Sequence, residues 1–146
     1  MKTYLAAIDF SAISMKVVEC AVQIATAAGA RLEILHVVEL PPLREPGSEV
    51  VRHFATINPP NLEQIREQLE EIAAPLRKNG LDVNTIVSVG VPLEEILKQA
   101  KSQEVSILIL GSHGHGRVLQ VFAGSLVTAV LQKAEVPVMV IPAHKK

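Results

Sequence analysis

Five short aliphatic runs alternate with stretches of helical periodicity: "TYLAAI" (3–8), "RLEILHVV" (31–38), "LDVNTIVSVG" (81–90), "VSILIL" (105–110) and "VPVMVI" (136–141). No other feature constrains the chain so tightly. Strands separated by a helix cannot pair as hairpins, so each connection must cross a sheet face and bring the chain back parallel. "VSILIL" lacks the polar alternation of a half-exposed strand and is expected in the sheet interior, covered on both faces. The expected fold class is α/β, an open five-stranded, mostly parallel sheet with right-handed crossovers and helices on both faces.

The helical stretches carry their own punctuation. "SAISMKVVECAVQIATAAGA" (11–30) places Ile13, Val17, Cys20, Ala21, Ile24 and Ala28 at helical spacing, and Gly29 is its natural stop. Asn61 can cap the next helix with Gln64 as the reciprocal partner. The stripe Leu62, Ile65, Leu69, Ile72 and Leu76 then runs to Asn79-Gly80, with Pro75 expected to kink or fray the last turn. "VPLEEILKQAKSQ" (91–103) has Pro92 at a first helical position, and "GSLVTAVLQKA" (124–134) is the last helix. Residues 40–60, with Pro41, Pro42, Pro46, Pro59 and Pro60 around Gly47, read as a long loop. That loop is not a linker, because the half before it cannot bury its own strands. One domain over 1–146 is therefore expected.

Composition removes several function classes. Aromatic residues are only 3% of the chain, with no Trp, so the stacking platforms of single-stranded nucleic-acid binders are missing. A formal net charge of −1 with interspersed signs leaves no basic footprint for nucleic acid or an anionic membrane. No apolar run approaches the roughly twenty residues needed to cross a bilayer. "MKTYLAAIDF" has neither the length nor the cleavage site of a signal peptide, and the lone Cys20 allows no internal disulfide. A cytoplasmic location is expected.

The chemistry concentrates in "GSHGHGRVLQVFAGS" (111–125). Gly111 follows the fourth strand at a carboxyl end, where ligands of such sheets bind. Gly114 and Gly116 allow the loop to present N–H groups unshielded by Cβ atoms. Gly124 and Ser125 then open a helix whose first amides and dipole attract an anion. A phosphate chain suits both ends of this loop, with Ser112, His113 and Arg117 on its border.

Rival motifs fit less well. A dinucleotide fingerprint belongs after the first strand, where "IDFSAIS" has no glycine, and a P-loop needs a lysine that is absent between Lys101 and Lys133. A flavin carrier would want more than Tyr4, Phe10, Phe54 and Phe122 for stacking, and a phospho-accepting receiver would want an Asp at the end of "TIVSVG". Asp9 fits a general base, a metal-bound carboxylate, an acceptor for a base or ribose, or a cap for the following helix; recognition is favoured over capping, and no second carboxylate is placed to make an acid/base pair, so no catalytic residue is assigned. His113 and His115, even with His36, His53 and His144, do not make a placed metal ligand set.

Gly111-x2-Gly114-x9-Gly124-Ser125 resembles the nucleotide-binding motif of the universal stress protein family. "IDFS", "LHVV", "VGVPLEEIL", "GSHGHG" and "VPVMVIP" extend the likeness over the whole chain. The resemblance implies a Rossmann-like sheet of the adenine nucleotide alpha hydrolase type, in strand order 3-2-1-4-5. It implies bound ATP, with Mg2+ to offset the phosphate charge. It also implies a homodimer paired through the last strand, with Val136, Val138 and Val140 at the contact, and a further protein partner. By the same resemblance, Ala7, Asp9 and the backbone of Val37 would take the adenine and ribose end. Leu110, Gly111, His113 and Gly114 would hold the phosphates from one side, and Gly124, Ser125 and the Leu126 amide from the other. Two departures stand out: Val127 replaces a common Ser or Thr, and Ser106 replaces a common Asp. The expected function is an ATP-binding regulatory or stress-response protein with at most slow hydrolysis. The alternatives are an interaction module of the same fold that uses no nucleotide, and an adenine nucleotide hydrolase.

Overall fold

The computed structural model describes residues 1–40, 46–47, 49–50, 53, 60–112 and 125–143, the Ser125 side chain excepted. The described elements are β1 (Thr3–Ala7), α1 (Ser14–Ala28), β2 (Arg31–Glu39), α2 (Leu62–Lys78), β3 (Val83–Gly90), α3 (Pro92–Ser102), β4 (Ile107–Gly111), α4 (Ser125–Lys133) and β5 (Val138–Ile141). The strands form one sheet in the order β3-β2-β1-β4-β5, every pair parallel. The chain steps outward from β1 to β3, then returns to the other flank of β1 for β4 and β5. Right-handed crossovers in opposite directions must use opposite faces. The packing agrees: α1 and α2 cover one face and α3 and α4 the other.

Two apolar clusters fill these faces. Tyr4, Ala6, Leu32, Ile34 and Ile109 meet Val17, Val18 and Ala21 of α1 and Leu69 and Ala73 of α2. Leu5, Leu35, Leu108 and Leu110 meet Ile96 and Ala100 of α3 and Val130 of α4. Alternate residues of one strand thus serve opposite clusters. Each fully buried aliphatic side chain contributes about 1.5–3 kcal/mol. Leu108, Ile109 and Leu110 are almost wholly buried, as their unbroken apolar run requires.

Local signals explain the helix ends. Gly29 closes α1 with φ of 64°, its N–H donating to the Ala25 and Thr26 carbonyls, a left-handed cap that favours glycine. The Asn61 side chain accepts from the Gln64 amide at 3.1 Å to begin α2. Helix α2 continues through Pro75 to Lys78, so the last turn does not fray there. Proline there deprives only the Glu71 carbonyl, and both residues lie on the exposed side, where water replaces the lost donor.

Other boundaries moved because burial imitated strand character. Val105 is buried against the α3/α4 cluster but precedes β4, its amide donating to the Ala100 carbonyl. Val136 likewise packs on that cluster ahead of β5. Helix α1 begins three residues later than its apolar spacing suggested, because Asp9 to Ser11 form a turn in which the Ser14 amide donates to the Ser11 carbonyl. Most of the 40–60 segment lies outside the described residues.

Candidate functional site

The carboxyl ends of β1 and β4 lie side by side where strand order reverses. The chain leaves β1 toward the α1 face, and α4, which follows β4, belongs to the opposite face. Connections that part in this way leave a crevice above the strand ends. Ala7 and Val37 border it, both half-buried against the α3/α4 cluster, together with Leu126 from α4. Leu110 is only 3% exposed and belongs to the core of that cluster, so its backbone rather than its side chain is what it can offer.

Asp9 stands two residues beyond β1 and is half-buried. One carboxylate oxygen, Oδ1, accepts from the Ser11 amide at 3.0 Å and the Ser14 hydroxyl at 3.2 Å. The other oxygen accepts from no described residue. Asp9 therefore both braces the start of α1 and retains an acceptor for something else. The helix-bracing role weighed from sequence alone is real, although it does not occupy the whole carboxylate.

Gly111 ends β4 in register with Ile141. A Cβ at this position would stand 3.0 Å from Ile13 Cγ2, 3.2 Å from Ile13 Cγ1 and 3.3 Å from Val17 Cγ2. Glycine is thus favoured where α1 packs against the end of β4, a packing reason independent of any ligand. Just beyond, the Ser112 amide donates to the Ile141 carbonyl, and the Ser112 hydroxyl accepts from the Ala143 amide at 3.0 Å. The end of β5 is in this way tied to the root of the glycine loop. Lys16 adds a bond from its ammonium group to the Pro142 carbonyl at 3.3 Å.

His113, Gly114 and Gly124, expected at the phosphate end, lie outside the described residues, as do Gly116, Arg117 and the side chain of Ser125. The backbone of Ser125 begins α4, as its pairing with Gly124 suggested. The described residues therefore bring Ala7, Asp9, Val37, Gly111 and Leu126 to one end of the sheet.

Three features were not foreseen from the sequence. Phe10 adopts a left-handed backbone with φ of 62°, for which an aromatic residue gives no signal. His36 Nδ1 lies 2.9 Å from the Ile8 carbonyl, and its ring packs on Phe10 with centroids 4.5 Å apart. The hydroxyls of Ser11 and Ser88 are buried without a hydrogen-bond partner among the described residues; Ser88 stands beside Val37 in the β2–β3 register. Among the described residues no group of three or more His, Cys, Asp or Glu could hold a metal ion. No described helix is long and apolar enough to cross a membrane.

Comparison with known proteins places this geometry in a family. Universal stress protein YxiE of Bacillus subtilis is 29% identical over 151 residues, covering 94% of this chain and 96% of its own. Universal stress protein MJ0577 of Methanocaldococcus jannaschii is 37% identical over 79 residues. That alignment takes in 54% of this chain and 49% of the relative, about half its length. The solved structure of the MJ0577 protein superposes with a TM-score of 0.81 at 29% identity, covering 99% of this chain and 98% of that one. UspA from Lactobacillus plantarum superposes with a TM-score of 0.77 at 23% identity over 96% and 97% of the two chains, a likeness of fold. The model of the Universal stress protein family matches residues 1–142, and with the sheet order and strand-end crevice described above, the chain belongs to the universal stress protein family.

Proposed function

We propose that the chain is an ATP-binding universal stress protein, a single domain over 1–146 that acts as a regulatory or stress-response protein in the cytoplasm. The observation that carries this reading is the placement of Asp9, beyond β1, and the root of the glycine loop, at the end of β4, at adjacent strand ends where strand order reverses, with Val37 on β2 at the other side of β1. A base and ribose then sit toward Asp9 and the Val37 backbone, and phosphates toward Gly111, His113, Gly114, Gly124, Ser125 and the Leu126 amide. Solved structures of the same fold include a universal stress protein in complex with cAMP and one from Archaeoglobus fulgidus in complex with dAMP. In those proteins the fold carries an adenine nucleotide.

Mg2+ fits as a companion of the phosphates. With no described cluster of carboxylates to cage it, the ion would keep phosphate and water ligands. The reading assigns no catalytic residue and takes hydrolysis to be at most slow. The homodimer is assigned to β5, because the two sheet edges differ. At the β3 edge the Arg77 Nε donates to the Val83 carbonyl at 2.6 Å, and the Arg77–Glu70 ion pair lies beside it. At the β5 edge Val138, Met139 and Val140 are half-buried and carry no charge, the kind of edge that proteins cover or pair. Val138 also packs on the α3/α4 cluster, so Val140 is the freer of the two for a partner copy.

The rival reading, an interaction module that uses no nucleotide, draws on Gly111, whose small size packing alone explains. Titration calorimetry with ATP and Mg2+ separates the two. We expect wild-type binding and its loss in Gly124→Val, where a branched side chain would intrude on the phosphates. Equal affinity of the two proteins refutes the phosphate site.

A further inference from the structure

We infer that His36 is a positioning residue for the nucleotide site, clamping the backbone on both sides of Asp9 and so setting where that carboxylate stands. The inference rests on the nucleotide reading above. Beyond β1, Ile8 is held to β2 twice: its amide donates to the Leu35 carbonyl at 2.9 Å, and its carbonyl lies 2.9 Å from His36 Nδ1. A carbonyl can only accept, so Nδ1 carries the proton. The imidazolium also has a proton on Nδ1, so the bond persists in either charge state.

On the far side of Asp9, Phe10 is held at φ of 62° with its ring 4.5 Å from the His36 ring and tilted by 43°. A bulky side chain in this region is strained and persists only where its surroundings over-determine it. The His36 ring supplies an aromatic contact in a favourable tilted geometry. The Ser11 amide and Ser14 hydroxyl, both bonded to Asp9 Oδ1, supply the rest. Loss of the clamp frees Phe10 to return to an ordinary backbone conformation, and Asp9 moves with it.

The position of His36 in the sheet gives the clamp its consequence. It immediately precedes Val37, whose backbone is assigned to the same end of the ligand as Asp9. One imidazole therefore fixes the spacing between the strand that meets the base and the turn that carries the carboxylate. A ligand that bridges both is sensitive to that spacing.

The test compares His36→Phe, which keeps a ring but loses the donor, with His36→Asn, whose side-chain amide stands at the branch position of Nδ1 and can still donate to Ile8. Calorimetry reads ATP–Mg2+ affinity, and the three-bond HN–Hα coupling of Phe10 reads its φ in the free protein. We expect His36→Phe to shift the coupling and lower affinity roughly threefold to tenfold, the equivalent of one net hydrogen bond. His36→Asn keeps the donor without the ring, so it should recover part of the affinity and leave the Phe10 coupling shifted. Unchanged affinity and coupling in His36→Phe overturn the inference. In the wild-type protein, 15N shifts must show His36 protonated at Nδ1; a ring protonated at Nε2 alone overturns the inference without any substitution. Wild-type protein that binds no nucleotide refutes the reading of the site, whereas the Phe10 coupling still decides whether His36 holds the turn.

Discussion

Replacing Gly111 with alanine sets a methyl group against Ile13 Cγ2 at 3.0 Å, Ile13 Cγ1 at 3.2 Å and Val17 Cγ2 at 3.3 Å. Carbon atoms pack best at about 3.5–4.0 Å, so all three contacts are too close. Two effects favour the substitution: burial of a methyl group contributes about 0.8 kcal/mol, and a less flexible unfolded chain about 0.4–1 kcal/mol. Overpacking opposes them with about 1–3 kcal/mol. Val17 is 1% exposed and cannot retreat, and both γ carbons of Ile13 are close, so no single rotation relieves them. The upper part of the overpacking range applies, and we expect a net loss of about 1 kcal/mol. Urea unfolding without nucleotide measures it. In an Ile13→Ala background two of the three contacts vanish, so Gly111→Ala should become neutral or slightly stabilising, a coupling of about 1 kcal/mol in the double-mutant cycle. Gly90→Ala is the control: the three atoms its Cβ would stand nearest to all belong to the Glu95 side chain, at 2.8–3.1 Å. That long side chain can swing aside, so the cost should stay below about 0.5 kcal/mol. If Gly111→Ala costs as much with Ile13 truncated as with it intact, the packing account of Gly111 is wrong.

Asp9→Asn keeps an oxygen for Ser11 and Ser14 but adds a donor, so the preference for ATP over GTP should shrink. A buried acceptor mismatch is worth about 1–3 kcal/mol, or roughly tenfold to over a hundredfold in affinity; an unchanged ratio of dissociation constants would assign Asp9 to the ribose or the helix start. Lysine at both Val138 and Val140 should convert a homodimer to monomers in light scattering, and a wild-type mass of one chain at micromolar concentration would refute pairing through β5. Glu70 is held below its ordinary value of 4.5, first by the hydrogen bond from Arg77 and then by that from Thr85, against partial desolvation. A depressed carboxyl value contributes stability that is complete above pH 4.5 and lost as pH falls through the lower folded value. Both partners are more than one-third exposed, so Glu70→Gln should cost only a few tenths to about 1 kcal/mol at pH 7. The gap should narrow in urea unfolding as pH falls below 4.5 and through the lower folded value; a gap that widens there would refute the assignment.

Local pattern was enough for the element order, the helix caps at Gly29 and Asn61 and the Pro92 start, because periodicity and backbone preferences act over a few residues. The glycine spacing singled out Gly111 at a strand end, and the resemblance singled out Asp9 at the end of the first strand. Pattern misread Val105 and Val136, since burial against a helix and burial within a strand look alike in an apolar run. Whether Pro75 frays the last turn was not legible either, because the solvent exposure that makes its missing donor cheap is a property of the packed helix. The left-handed turn at Phe10 depends on a histidine 28 residues beyond Ile8, and the need for glycine at 111 depends on the approach of α1. The amino-acid sequence by itself determined which segments are strands and helices. Only the tertiary structure decided how Asp9 is held, because that depends on contacts between distant residues that exist only once β1 and β2 lie side by side.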